Sequence, residues 1–217
     1  MVAFMPVPFR LPRFYPILDT VALSTSGVSA CAAADALLEA GVKILQYRHK
    51  GHWTQAHFNE AKRLAESCEE TGTLFVLNDR ADFARILNAA LHVGQEDLPP
   101  GAARRVISDE VMGFSTHNRQ QLERGNEEPV EYLSIGPIFA TTSKERPDPV
   151  VGLAGLQELR PLAAKPLVAI GGITLENAPE VFASQVDSVA IISGLLPEAC
   201  DRKSIRKRAE EWLRLVG

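Results

Sequence analysis

Short, almost wholly apolar runs recur along the chain with longer helix-patterned stretches between them: FYPILD, VKILQYR, LFVLND, LHVG, VMGFST, YLSIGPIF, PLVAIGG and SVAIIS. No other feature restricts the fold as tightly. A strand with one face in water alternates apolar and polar residues, whereas a parallel strand covered on both faces is apolar at nearly every position. Eight such strands separated by helices predict an α/β fold, a single-domain (β/α)8 TIM barrel. An open doubly wound sheet is the alternative. Between the strands, TQAHFNEAKRLAESCEETG places Phe58, Ala61, Ala65 and Cys68 at steps of three and four, with Gly72 as the stop signal. The last segment repeats the pattern with Ile205, Ala209, Trp212 and Val216. Linkers are short and no composition break marks a second domain. The barrel is expected over residues 14–217, after an N-terminal extension of residues 1–13.

Composition narrows the partners. The chain has 217 residues, with 23 Lys and Arg against 27 acids, a net charge of −4. That balance argues against a nucleic-acid binder, whose footprint is basic, and leaves room for a local basic pocket that takes a phosphorylated small molecule. Cys31, Cys68 and Cys200 form no CxxC pair and all fall in segments that read as helix, which points to buried thiols in a reducing compartment. The opening MVAFMPVPFRLPRF is broken by Pro6, Pro8 and Pro12, which argues against a signal peptide. No apolar run is long enough to span a membrane. A cytoplasmic protein is expected, with homo-oligomerisation left open.

In such barrels the active site lies at the C-terminal ends of the strands, and the unusual polar residues of this chain fall there repeatedly. In LQYRHK, Gln46, Arg48 and Lys50 alternate and so share a face. They are either a solvated strand end or a grip for phosphate, which Arg binds bidentately and Lys as a mobile charge. Asn78 and Asp79 end strand three, and Asp97 follows strand four just before two prolines that would open a helix. All three read as ordinary helix caps, yet two aspartates on adjacent strand ends can also converge on Mg2+, which takes few carboxylates plus phosphate oxygens and water. Strand five ends in Ser115, Thr116 and His117; a lone histidine is more often structural than catalytic. After strand six, Thr141, Thr142, Ser143 and Lys144 make a hydroxyl-rich loop closed by a cation, either a flexible surface loop or a ligand clamp. Gly171-Gly172 after strand seven, with Ile192 and Ser193 after strand eight, offers backbone amides where barrels often hold phosphate. The residues thus describe two anion sites, one cationic and metal-assisted, one rich in amides. An enzyme joining a diphosphate donor to a monophosphate acceptor fits both.

Taken together, QYRHK, NDRADFA, HVGQEDLP, FSTH, GPIFATTSK and AIGGIT resemble the thiamine-phosphate synthase family over roughly residues 14–196. The resemblance implies a transferase of thiamine biosynthesis that couples 4-amino-5-hydroxymethyl-2-methylpyrimidine diphosphate to 4-methyl-5-(2-hydroxyethyl)thiazole phosphate, releasing pyrophosphate. It implies that Gln46, Arg48, Lys50, Asn78, Ser115 and Lys144 hold the pyrimidine diphosphate, with Arg48, Lys50 and Lys144 assisting the departure of the leaving group. Thr141, Thr142, Ser143, Gly172, Ile192 and Ser193 would hold the thiazole phosphate, and Asp79 and Asp97 would bind Mg2+. The chain departs from the family pattern at His49, where an acidic residue is frequent, at Ser143, where threonine is common, and in the turns NAALHVGQ and SQVDSVAI. A thiazole tautomerase on the same barrel, with His117 in proton transfer, is the nearest competing activity. A non-catalytic sensor of a thiamine precursor is the third.

Overall fold

The computed structural model describes residues 9–141 and 148–217. Eight strands, β1 (Phe14–Asp19), β2 (Ile44–Arg48), β3 (Leu74–Asn78), β4 (Ala90–Val93), β5 (Met112–Thr116), β6 (Tyr132–Ile135), β7 (Leu167–Ile170) and β8 (Ser188–Ile191), each pair in parallel with the next, and β8 returns to β1. The sheet is therefore the closed barrel expected from the sequence, not the open alternative. Nine α-helices lie among the described residues: α1 (Thr20–Thr25), α2 (Ala30–Ala40), α3 (Gln55–Thr71), α4 (Ala81–Leu87), α5 (Pro100–Ile107), α6 (Arg119–Glu127), α7 (Gly152–Leu159), α8 (Ala178–Ala183) and α9 (Arg202–Val216). None is long and apolar enough to cross a membrane.

The nearly continuous apolar character of the strands follows from two separate cores. Residues pointing outward, such as Leu18, Leu45, Leu77, Leu91, Ile135 and Val189, bury themselves against Leu37, Leu64 and Trp212 of the surrounding helices. Residues pointing inward, including Tyr15, Ile17, Ile44, Val76, Tyr132 and Val168, fill the barrel itself. Side-chain alternation is kept in step around the ring, because inward residues pair with inward ones: Ile17 with Gln46, Asn78 with His92, Ser115 with Ser134. Of the N-terminal extension, Leu11 is buried in this inner core and Phe9 packs on it, its ring 6.3 Å from that of Tyr132.

Local signals set most helix ends. Ser29 caps α2 through a bond from Ala32 N–H, and Gly41 and Gly72 close α2 and α3 in the left-handed region that glycine adopts freely. Two details differ from the sequence reading. YLSIGPIF is strand only as far as Ile135; a cis Gly136–Pro137 bond follows, and the chain then runs beside the end of β7 through Ile138 N–H to Ile170 O. Cys200 lies in the loop before α9, not in a helix, and both it and Cys31 are half-buried, so only Cys68 is a fully buried thiol.

Gly113 on β5 shows how tightly the inner core is filled. A Cβ built there would lie 2.1 Å from Cζ of Tyr132 and 2.5 Å from its hydroxyl. Gly113→Ala is expected to destabilise the fold by about 2 kcal/mol or more, as overpacking of a rigid core does. The midpoint of urea unfolding measures it, and an unchanged midpoint would mean that Tyr132 does not sit across β5 as described.

Candidate active site

The alternation that fills the lower barrel with apolar groups delivers polar ones at its upper end. Gln46 and Arg48 from β2, Asn78 from β3, His92 from β4 and Ser115 from β5 line one open cavity. Four of these five were expected together from sequence; His92 was not. A smaller cavity is formed by Thr141, Gly171, Gly172 and the Ile191–Ser193 stretch. The two adjoin, sharing Thr141, Ile170, Gly171 and Ile192. Glycine is required where β7 ends, since Gly171 and Gly172 have φ of +102° and +64°. A Cβ on Gly172 would come within 2.6 Å of the Ala140 carbonyl oxygen. Thr142, Ser143 and Lys144 lie outside the described residues.

Lys50 stands just past β2 and joins the two aspartates: its Nζ is 2.6 Å from Asp79 Oδ2 and 3.6 Å from Asp97 Oδ1. Neither aspartate is a helix cap. Arg80 occupies the flanking position of α4 with no side-chain capping bond, and Asp97 accepts a bond from its own loop, Gly94 N–H, at 2.8 Å. Asp79 has φ +66°, a conformation that costs most side chains energy and that Asp and Asn tolerate best. Burial and the hydrogen bond to Asp97 push the Asp79 carboxyl up to about 6, against the pull of Lys50. Asp97 is held below the usual carboxylate range: burial opposes this, but bonds from Asp79, Gly94 N–H and Lys50 outweigh it. Two carboxylates in contact, with one ammonium between them, form a site with unsatisfied demand for positive charge. Among the described residues no group of three or more His, Cys, Asp or Glu gathers to hold a metal. A cation here would take two protein carboxylates and complete its shell with water and phosphate oxygens, the pattern Mg2+ favours.

Several residues of the site carried no usable signal in the sequence. Asp19, read as the end of β1, accepts bonds from Val21 and Ala22 N–H with one oxygen and pairs with Arg48 through the other. The guanidinium is thereby anchored at the cavity wall. Below it, Gln46, Tyr15, Tyr132, His92 and Ser115 are linked side chain to side chain. Asn78 is buried, yet its Nδ2 has no hydrogen-bond partner among the described residues, which is costly unless a ligand accepts from it. His117 lines the cavity and donates from Nδ1 to the Gly136 carbonyl at 2.7 Å. His49 is a brace for the β2–α3 loop: it bonds Thr20 and stacks on His57, ring centroids 3.9 Å apart.

The sequence model of the family described as thiamine monophosphate synthase matches residues 14–195. A thiamine-phosphate synthase from Koribacter versatilis is 44% identical over 211 residues, spanning 95% of this chain and 97% of its own. The chain belongs to the thiamine-phosphate synthase family. A second relative of that name, from Chloroflexus aurantiacus, is 36% identical over 85% of both chains. Among solved structures, thiamine phosphate pyrophosphorylase from Pyrococcus furiosus superposes with a TM-score of 0.82 at 28% identity, covering 94% of this chain and 95% of that one.

The synthase-family barrel here keeps Asp79 at a cost to its own stability. A carboxyl whose folded pKa of about 6 exceeds its ordinary 3.8 favours folding below the lower value, and that contribution is lost as pH rises through the higher one. Asp79→Asn keeps the size and the tolerance of positive φ while removing the charge. In metal-free buffer at pH 7.5 it is expected to unfold at a higher urea concentration than the wild type, by about 1 kcal/mol after allowance for Lys50 losing a partner. The gain should shrink toward pH 4. A variant less stable than wild type at pH 7.5 would show that the Asp79 carboxyl is not raised by its surroundings.

Proposed function

We propose that this chain carries out the thiamine-phosphate synthase reaction, joining the pyrimidine diphosphate to the thiazole phosphate to give thiamine phosphate and pyrophosphate. The observation that carries the reading is the pair of adjoining cavities, one walled by Arg48, with Asn78 and Ser115, the other by the backbone of Gly171–Gly172 and Ile192–Ser193. A donor with two phosphates and an acceptor with one need such a pair, close enough for one substrate to meet the other. Gln46, Arg48, Lys50, Asn78, Ser115 and Lys144 hold the first substrate. Thr141, Thr142, Ser143, Gly172, Ile192 and Ser193 hold the second.

The chemistry asked of the protein is mainly electrostatic. The bond from the pyrimidine methylene carbon to the diphosphate oxygen breaks first, the electron-rich ring bears the positive charge, and the thiazole nitrogen then attacks the carbon. Arg48, already fixed by Asp19, meets the charge growing on the departing diphosphate without reorganising, which is the source of its effect. Lys50 can leave the carboxylates for the phosphate oxygens, since its side chain is half exposed. Bound by Asp79 and Asp97, Mg2+ would neutralise leaving-group charge. No side-chain nucleophile takes part. The small phosphorylated substrates and three free cysteines also support action in the cytoplasm.

The test is to mix purified protein, both phosphorylated precursors and Mg2+, and to assay thiamine phosphate. Product is expected from the wild type, and Asp97→Ala should lose about a hundredfold or more in turnover with unchanged circular dichroism, the scale of losing one electrostatic stabiliser. Magnesium-independent isomerisation of the thiazole phosphate without product would identify a tautomerase using His117. Precursor binding with neither reaction would identify a sensor. Near-normal turnover in Asp97→Ala would remove the metal assignment.

A further inference from the structure

The polar chain beneath the cavity has a direction, and that direction decides which faces of Gln46 and Ser115 meet the ligand. Gln46 donates from Nε2 to the Tyr15 hydroxyl at 2.7 Å. The Tyr15 and Tyr132 hydroxyls lie 2.9 Å apart, Tyr132 is 3.1 Å from His92 Nδ1, and His92 Nε2 is 2.8 Å from Ser115 Oγ. Each phenol has a single proton. Tyr15 receives the bond from Gln46, and among the described residues the Tyr132 hydroxyl is the other polar atom that its hydroxyl reaches, so its own proton goes to Tyr132 and the Tyr132 proton goes to His92 Nδ1. That leaves His92 with its proton on Nε2, donated to Ser115 Oγ. Ser115 also accepts from Ser134 Oγ at 3.3 Å, so its own proton is free to point into the cavity that it lines.

We propose that Tyr15 and Tyr132 are positioning residues whose one-way hydrogen-bond chain turns the Gln46 carbonyl and the Ser115 hydroxyl proton toward the bound diphosphate substrate, selecting a ring that carries an amino group. This rests on the synthase reading above. The reverse chain is chemically complete too, and it would do the opposite. With the proton on Nδ1, His92 would donate to Tyr132, Tyr132 to Tyr15 and Tyr15 to Gln46 Oε1. The Gln46 amide would then present N–H groups to the ring, and Ser115 would spend its proton on His92. An exocyclic amine pairs with a carbonyl acceptor, whereas an oxo group in its place would face that acceptor unpaired, the arrangement that discriminates most strongly. Burial raises both phenol pKa values, Tyr15 and Tyr132 alike, so the two remain neutral donors at working pH. Both hydroxyls are enclosed, and linked dipoles in such surroundings reinforce one another.

Two experiments separate this proposal from the reading it rests on. The first needs no substrate: ¹⁵N NMR of the ligand-free wild type is expected to show His92 as the Nε2–H tautomer, with the Nδ1–H form gaining in Tyr132→Phe. A wild-type Nδ1–H tautomer would overturn the proposal whatever the enzyme does. The second compares the aminopyrimidine diphosphate with its 4-oxo counterpart. In Tyr15→Phe, which removes one oxygen, the ratio of kcat/KM for amino over oxo substrate is expected to fall about tenfold, the worth of one misdirected hydrogen bond. A folded Tyr15→Phe with wild-type discrimination overturns the proposal. A wild type that forms no thiamine phosphate while showing the expected tautomer counts against the synthase reading and leaves the relay standing.

Discussion

Closing eight parallel strands into a ring forces every second side chain into an enclosed core, and most of what this protein can do follows from how that core is divided. Its lower part is filled by Tyr15, Ile17, Ile44, Val76, Tyr132 and Val168. Because inward positions stay in step from strand to strand, the same alternation carries Gln46, Arg48, Asn78, His92 and Ser115 to a common cavity at the upper end. No single loop assembles the site. Its walls belong to the sheet, while Lys50 and Asp97 stand beyond the strand ends.

Two kinds of polar group occupy this upper end. One kind is satisfied within the protein: Arg48 by Asp19, and Gln46, Tyr15, Tyr132 and His92 by one another. These groups set geometry. The other kind is left short: Asn78 Nδ2 without an acceptor among the described residues, and Asp79 and Asp97 sharing one ammonium. Such groups are costly to a free protein, and here they lie together in one region. The smaller cavity is built by a different route, from backbone at two glycines with positive φ.

The barrel was legible because its signal is repeated and local: eight apolar runs, each between helix patterns. Gln46 and Arg48 were legible because strand periodicity puts them on one face, whereas Asn78 and Ser115, each near a strand end, joined them only through the family resemblance. The aspartates were ambiguous, since Asn-Asp before a helix is a common cap, and only the geometry around α4 and Gly94 removes that role. Tyr15, Tyr132 and His92 were missed for a definite reason. Each sits in an apolar strand like any core residue, and its partner lies across the barrel, as far as 117 residues away for the tyrosine pair. His49 looked like a change in the site and proved to be a loop brace, because its partner His57 lies on the first turn of α3.

The central claim is that one cavity grips a diphosphate and its neighbour a monophosphate. A crystal structure of the protein with thiamine phosphate, pyrophosphate and Mg2+ tests it directly. The account predicts pyrophosphate against Arg48, Lys50 and Asn78 with the cation on Asp79 and Asp97, and the thiamine phosphate group against the backbone of Gly172 and Ser193. Both phosphate groups in one cavity, or a cation bound away from the two aspartates, would contradict it.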